Sequence, residues 1–352
     1  IVGNFVGSNA LAAVGSSGSP IFLLIGFSQG IAVGAGVVVS QFLGAKDREG
    51  AHTAVHTSLA LSAILGAILT VCGIAVSRAL LTAMNTPAEV LEDAVLYIRL
   101  YFGGVLFSVV YNMAAGILNA AGNSKRSLLY LGVASITNIV LDLVLIAGCR
   151  MGVAGAAIAT VAGQIVAAMI VCRGGFRPSP APRLYPALMR RIYRLGVPNI
   201  LMQSAYTFYI LGLNLILKTF SDQAVTTLGL YYKWQTFFFI PLGAMQTCIV
   251  PVISYNYAAG SLDRCRKTLR ESILAGMALM LIGTLCFELI PAPMLRVFTQ
   301  DARVVEIGRV GFRFIGVSFL PMVTSLTFPV FFQAVASGWK SSLLTVIRTV
   351  VL

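Results

Sequence analysis

The sequence predicts an all-α polytopic membrane protein made of two six-span lobes related by a parallel internal repeat. Three observations predict it. First, 58% of the 352 residues are hydrophobic and only 11% are charged, where a soluble domain carries roughly 25% charged residues. Second, seven stretches of more than 20 residues hold no Asp, Glu, Lys or Arg: 1–45, 50–77, 100–124, 151–172, 195–217, 234–262 and 314–339. Third, short motifs recur along the chain at nearly one offset.

A helix needs roughly 20 apolar residues to cross the hydrocarbon core. One or two such runs could be buried helices of a soluble protein; seven could not. Nine full spans are expected, at about 17–43, 53–77, 94–118, 127–147, 152–172, 196–217, 226–256, 271–292 and 306–335. Residues 1–8 read as the end of an earlier span and 341–352 as the start of a later one. The chain opens on Ile1 without a Met and ends on "LLTVIRTVVL", so we expect both ends to be missing.

The formal charge is +13. In a soluble protein this would point to nucleic acid. Here the basic residues lie mostly in short loops between spans, so membrane topology accounts for them and nucleic acid is not an expected partner. Fifteen Lys and Arg fall in one set of alternate loops and six in the other. The richer set should be cytoplasmic. It includes Lys46, Lys125, Arg264, Arg266, Lys267 and Lys340. The segment "RGGFRPSPAPRLYPALMRRIYRLG" is basic and rich in Pro. It predicts a cytoplasmic linker at 173–195 between a first lobe, 1–172, and a second, 196–352.

The lobes resemble each other. "GAKDR" (44–48) recurs as "GSLDR" (260–264), Glu92 and Arg99 as Glu306 and Arg313, and "KRSLL" (125–129) as "KSSLL" (340–344). Three matches in order indicate an internal repeat. Six spans separate equivalent positions, so both lobes insert the same way. Parallel repeats of this kind are a transporter architecture, with one half rocking against the other.

Asp142, in "TNIVLDLVLIAG", lies well inside a span. A charge at the bilayer centre costs about 3 kcal/mol on insertion scales and marks a functional position. Asn138 is one turn away on the same face. Burial favours the protonated acid and a bound cation the ionised one, which is what a coupling site requires. Helix–helix hydrogen bonding is the plain alternative. Tyr97, Asn112 and Thr160 offer further oxygens from other spans, but spacing alone does not bring them to Asp142.

Other polar residues have plainer readings. Glu288, near Pro291 and Pro293, reads as reaching the interface. Arg99 and Arg313, two turns from Glu92 and Glu306, read as paired with them or snorkelling. Lys233, in "LYYKWQTFFF", belongs to an interface belt or lines a cavity. Gly26, Gly30 and Gly34 form a small face for close packing. Pro241, Pro251, Pro321 and Pro329 are expected to break spans of the second half. His52 and His56, at i and i+4, have no HExxH and no third ligand nearby, and read as a helix end. The six cysteines have no CxxC spacing and read as core residues. No metal site is expected from these spacings.

With these residues in hand, the chain resembles the multidrug and toxin extrusion (MATE) transporters, in a bacterial branch. "VGNFVGSNALAAVG", "SQFLGAKDRE", "YIRLYFGGVLFSVVYNMAAGILNAAGNSKRSLL" and "RLGVPNI" all resemble family segments; "TNIVLDLVLIAG…MGVAGAAIATVAGQ" is the most specific match. The resemblance implies twelve spans in full, about nine of them complete here. It implies a multi-pass protein of the bacterial cytoplasmic (plasma) membrane that works as a monomer. It also implies export of amphiphilic, cationic organic compounds, drugs and toxins, in exchange for H+ or Na+, with no other cofactor. Family members use an Asn and an Asp one turn apart on the fifth span, a Thr on the sixth and polar residues on the fourth. Asn138, Asp142 and Thr160 match, as do Asn112 and Tyr97 on the fourth. The match of the first three implies that a coupling Na+ would sit there and no other metal. The family's first-span Asp would lie just before Ile1. A lipid-linked precursor flippase or polysaccharide exporter of related fold is the alternative, carried by Lys233, Arg99 and Arg313. An intramembrane enzyme would need a second catalytic acid, an activated nucleophile or a metal cluster, and the spans show none.

Overall fold

The computed structural model describes residues 2–84, 86–175 and 184–348. The middle of the basic linker, 176–183, and Asn85 lie outside the described residues. Helices cover all nine expected spans. A short α1 (Val2–Phe5) and α2 (Ser8–Ser16) lead into α3 (Gly18–Gly44), then α4 (Arg48–Ala83), α5 (Ala88–Gly103), α6 (Val105–Ala120) and α7 (Ser124–Asp142). The chain then runs through a π-helical turn (Leu143–Gly148) to α8 (Gly152–Gly175), α9 (Pro186–Lys218), α10 (Asp222–Ala258) and α11 (Leu262–Leu289). It ends with α12 (Pro291–Arg296), α13 (Ala302–Val317), α14 (Phe319–Ala334) and α15 (Gly338–Val346). Among the described residues, six helices are long and apolar enough to cross a membrane, or eight if each of two bent pairs counts as one span. The protein is an all-helical, multi-span membrane protein.

The chain divides into two compact units, one of residues 1–43 and 47–200, the other of 44–46 and 201–352. Both described ends of the basic linker are helical: Arg173 closes α8, and 186–195 form the first turns of α9. Local chemistry starts the helices. Asp47 accepts from the Gly50 amide at 2.8 Å, Ser221 from that of Ala224 at 3.1 Å, and Asp301 from that of Arg303 at 2.9 Å. Each satisfies an amide that the first helical turn leaves open.

The repeat is visible inside each unit. α5 and α6 meet at Gly104 with a 50° bend, and α13 and α14 meet at Ser318, 214 residues on, with a 49° bend. The Ser40 hydroxyl donates to the Ala120 carbonyl at 3.2 Å, and the Ser254 hydroxyl, at the same offset, to Ala334 at 2.9 Å. Four helix ends close by one device, a left-handed residue followed by a bond back to the last turn. The left-handed residues are Lys46, Gly122, Gly260 and Ala336, two pairs at that same offset. The bonds run from the amides of Asp47, Asn123, Ser261 and Ser337, at 2.8 to 2.9 Å.

Two expectations are corrected. Pro241 and Pro251 do not break a span: α10 runs through both. Transmembrane helices tolerate proline where neighbours re-satisfy the freed carbonyl. Pro329 likewise lies inside an unbroken α14, whereas the break at Ser318 comes three residues before Pro321, whose ring crowds the Val317 carbonyl. Nor does Glu92 pair with Arg99. The Arg78 guanidinium, on α4, holds the Glu92 carboxylate at 2.7 Å, while Arg99 is exposed. In the second unit the Arg313 Nε donates to the Glu288 carbonyl at 3.2 Å. Sequence spacing on one helix missed the neighbouring helix in both cases.

The small face on α3 does pack closely. A Cβ on Gly34 would stand 2.7 Å from the Gly196 amide, and one on Gly30 would run into the Ile200 side chain. The second unit is held by rings: Phe287 stacks on Phe312 at 4.6 Å and leans on Phe319 at 4.8 Å, with Tyr231 edge-on.

Candidate functional site

The site is built on α7. Its residues divide by face at helical spacing. Leu128, Leu129 and Ile136 are 69%, 62% and 64% exposed, an apolar side fit for lipid. Ser127, Tyr130 and Ala134 are buried, and Asn138 and Asp142 continue the same stripe half-buried. Thus one helix turns its polar residues inward because its opposite face is Leu and Ile. Asp142 stands at the last α-helical residue, where the backbone widens into the π-helical turn. Such turns are uncommon and frequent at functional sites.

Helix α8 lies against this stripe. Gly163 permits the approach: a Cβ there would stand 2.9 Å from the Ala134 carbonyl and 3.3 Å from the Asn138 Cβ. With the helices this near, the Asn138 amide donates to the Thr160 hydroxyl at 3.4 Å. Thr160 in turn donates to the Ala156 carbonyl at 2.9 Å, which fixes its rotamer. From α5 the buried Tyr97 lies near the Thr160 side chain and Asp142. Tyr97 stacks on Tyr101 at 6.5 Å, and the Gln164 amide donates to the Tyr101 hydroxyl at 3.4 Å.

Three helices therefore each give two polar residues one turn apart: Asn138 and Asp142, Thr160 and Gln164, Tyr97 and Tyr101. One turn beyond, the faces of α7 and α8 become Ala134 and Ala168, both buried. The ladder is polar at one end and closed by small apolar residues at the other. Asp142 Oδ1 is buried and makes no hydrogen bond among the described residues, and the same holds for Gln164 Oε1. A buried acceptor left unmet costs roughly 1–3 kcal/mol. Carboxylate, amide and hydroxyl oxygens suit a proton or a hard cation.

Of the residues expected from sequence, Asp142, Asn138, Thr160 and Tyr97 come together. Asn112 does not join their hydrogen bonds; its amide donates to the Ser108 carbonyl of its own helix at 2.9 Å. Tyr101 and Gln164 were missed. Their signal was present: each follows an expected site residue by four positions. Lys233 is exposed with its ammonium 4.8 Å from the Phe298 ring centre, and the neighbouring Trp234 indole donates to the Met294 carbonyl at 3.1 Å. No group of three or more His, Cys, Asp or Glu with metal-site proximity occurs among the described residues.

Comparison with known proteins agrees with this architecture. A probable multidrug resistance protein of Bacillus subtilis, YoeA, is 27% identical over 304 residues, 80% of this chain and 65% of its own length. A second from the same organism, YpnP, is 27% identical over 75% of this chain and 60% of its own length. The chain thus spans somewhat less than two thirds of these relatives. The multidrug export protein MepA of Staphylococcus aureus is 23% identical over 95% of this chain. Among solved structures, an outward-facing multidrug resistance transporter of the MATE family and MOP superfamily superposes with a TM-score of 0.92 at 25% identity. It covers 99% of this chain and 80% of its own. The family model MatE matches residues 1–144 and 198–352, and the chain belongs to the MatE family, whose members are transporters and not enzymes.

Proposed function

We propose that the chain forms most of a secondary active antiporter that exports amphiphilic, cationic organic compounds in exchange for H+ or Na+. One observation carries this reading: the unmet, buried Asp142 oxygen at the open end of a six-residue polar ladder. In an ion-coupled cycle the carboxylate alternates between a charged form, stabilised by a bound cation, and a protonated form that tolerates dryness. Asn138 and Thr160 supply the other oxygens for a Na+, with Tyr97 beside them. Asn112, on the next segment of the same broken span, faces substrate in this reading. The two repeats act as lobes, 1–172 and 196–352, that rock about the linker at 173–195. The protein works as a monomer in the bacterial cytoplasmic membrane. The flippase alternative needs Lys233, Arg99 and Arg313 for an anionic headgroup. Lys233 has Phe298 and Arg313 has the Glu288 carbonyl as local partners, so the cation-exporter reading stands ahead.

The test is Asp142→Asn in the native protein, reconstituted in liposomes with a proton or a sodium gradient imposed separately. The substitution keeps shape and removes charge. Gradient-driven efflux should be lost while expression and thermal stability stay near wild type. Efflux at the wild-type rate would place the coupling group elsewhere.

A further inference from the structure

We propose that His52 and His56 form a two-ligand clamp for a borderline divalent metal ion, Cu2+, Ni2+ or Zn2+, at the start of α4. The site is separate from the Asp142 ladder and does not depend on how that ladder is read. The sequence offered only the i, i+4 spacing, which places two side chains on one helical face. The structure adds the geometry. The two Nε2 atoms lie 3.2 Å apart, and the rings, with centroids at 4.4 Å, are inclined by 65° rather than stacked flat. Zinc binds imidazole nitrogen at about 2.0–2.1 Å. Two such nitrogens on one ion stand about 2.9 Å apart at a right angle and about 3.3 Å apart at the tetrahedral angle, from that bond length. The observed separation falls between the two, so an ion can enter with small ring rotations.

The ligand type sets the metal class. Neutral imidazole suits Cu, Ni and Zn, whereas Mg2+ and Ca2+ take oxygen. His52 is exposed, so an ion can enter from water. No third His, Cys, Asp or Glu joins the pair among the described residues, so water would complete the coordination and affinity should follow Cu2+ above Ni2+ and Zn2+. Of the two acids at the start of α4, Asp47 already accepts from the Gly50 amide through Oδ1, and Glu49 forms no group of three with the two histidines. A bound ion would tie the first two turns of α4 together just after the α3–α4 turn.

The same geometry also suits a single ring-to-ring hydrogen bond, and the experiment separates the two. The native protein, purified without a polyhistidine tag in detergent, is titrated with CuCl2, NiCl2, ZnCl2 and MgCl2 by calorimetry. His52→Ala, His56→Ala and the double variant are measured in parallel. The expected result is one ion bound in the stated order, none for Mg2+, and at least a tenfold loss of affinity in each single variant. Copper electron paramagnetic resonance should show two equivalent imidazole nitrogens in the wild type. Equal binding by wild type and double variant, or the loss of only one nitrogen's coupling in the double variant, would overturn the clamp. The residues lie on the helix surface, so folding should survive; circular dichroism checks it.

Discussion

Gly163→Ala should injure both the packing and the ion site, because one glycine serves both. The new methyl would stand 2.9 Å from the Ala134 carbonyl oxygen and 3.3 Å from the Asn138 Cβ. Ordinary carbon–oxygen contacts lie at about 3.3–3.6 Å, so α8 must retreat from α7 by roughly half an ångström. The Asn138–Thr160 bond, already at 3.4 Å, then passes out of range. Overpacking costs about 1–3 kcal/mol and the lost bond about 0.5–1.5 kcal/mol. The better helix propensity of alanine returns up to about 1 kcal/mol. With that full return the net loss is about 0.5–3.5 kcal/mol, or a fall of several degrees in melting temperature at about 2–4 °C per kcal/mol. The matched control is Gly132→Ala on α7, where a Cβ meets nothing within 4 Å; it should leave stability unchanged or raise it slightly. Differential scanning fluorimetry in detergent and gradient-driven efflux in liposomes read both effects. If Gly163→Ala melts and transports like wild type, the close α7–α8 approach does not hold the site.

Three further outcomes follow from the structure. Ala336 sits at φ 60 and is exposed, so Ala336→Gly should stabilise by about 1–2 kcal/mol through relief of left-handed strain, read as a higher melting temperature. Gly73→Ala drives a methyl into the buried Phe102 ring and should destabilise by about 1–3 kcal/mol; adding Phe102→Leu should recover part, and equal melting of single and double variants would contradict that contact. In a background without native cysteines, single cysteines at Ser124 and Ser261 should react only from the cytoplasmic side and one at Gln300 only from outside; labelling of all three from one side would overturn the loop-charge topology.

The spans were legible because lipid rewards one simple property, a charge-free run of sufficient length. The breaks within them were only partly so. Gly104 and Ser318 bend the chain by 50° and 49°. Pro321 marked the second, but Pro241, Pro251 and Pro329 mark no break, and nothing marked the first, which is set by what packs beside it. At Gly104 a Cβ would run 2.6 Å from the Val161 side chain of α8, a neighbour that sequence cannot name. Asp142 and Asn138 were legible as a pair because four-residue spacing is a property of one helix. Thr160 and Tyr97 entered by family resemblance, since only tertiary packing brings α5 and α8 to α7. Tyr101 and Gln164 needed one further step: once Tyr97 and Thr160 face inward, the residues one turn on must face inward too.

The repeat is faithful in scaffold and unfaithful in chemistry. Helix ends, bends and the Ser40 and Ser254 hydroxyl bonds recur at an offset of 214. Even where sequence differs, the shape is kept. In the first unit Gly73 makes room for Phe102. At the same offset in the second, the partners have traded sides, and Gly316 makes room for Phe287, whose Cβ would stand 2.8 Å from an added methyl. One ring fills one gap in each unit, contributed by opposite helices. The exchange frees the Gly316 carbonyl to accept from the Thr284 hydroxyl at 3.0 Å. Its counterpart Thr70 has a buried hydroxyl with no hydrogen-bond partner among the described residues. The α5 side of the ladder is not kept in this way. Tyr97 and Tyr101 correspond to Gly311 and Ile315, and Asn112 to Leu326. Packing thus keeps one ring in one gap in each unit, while the two hydroxyls that α5 gives the ladder have apolar counterparts on α13.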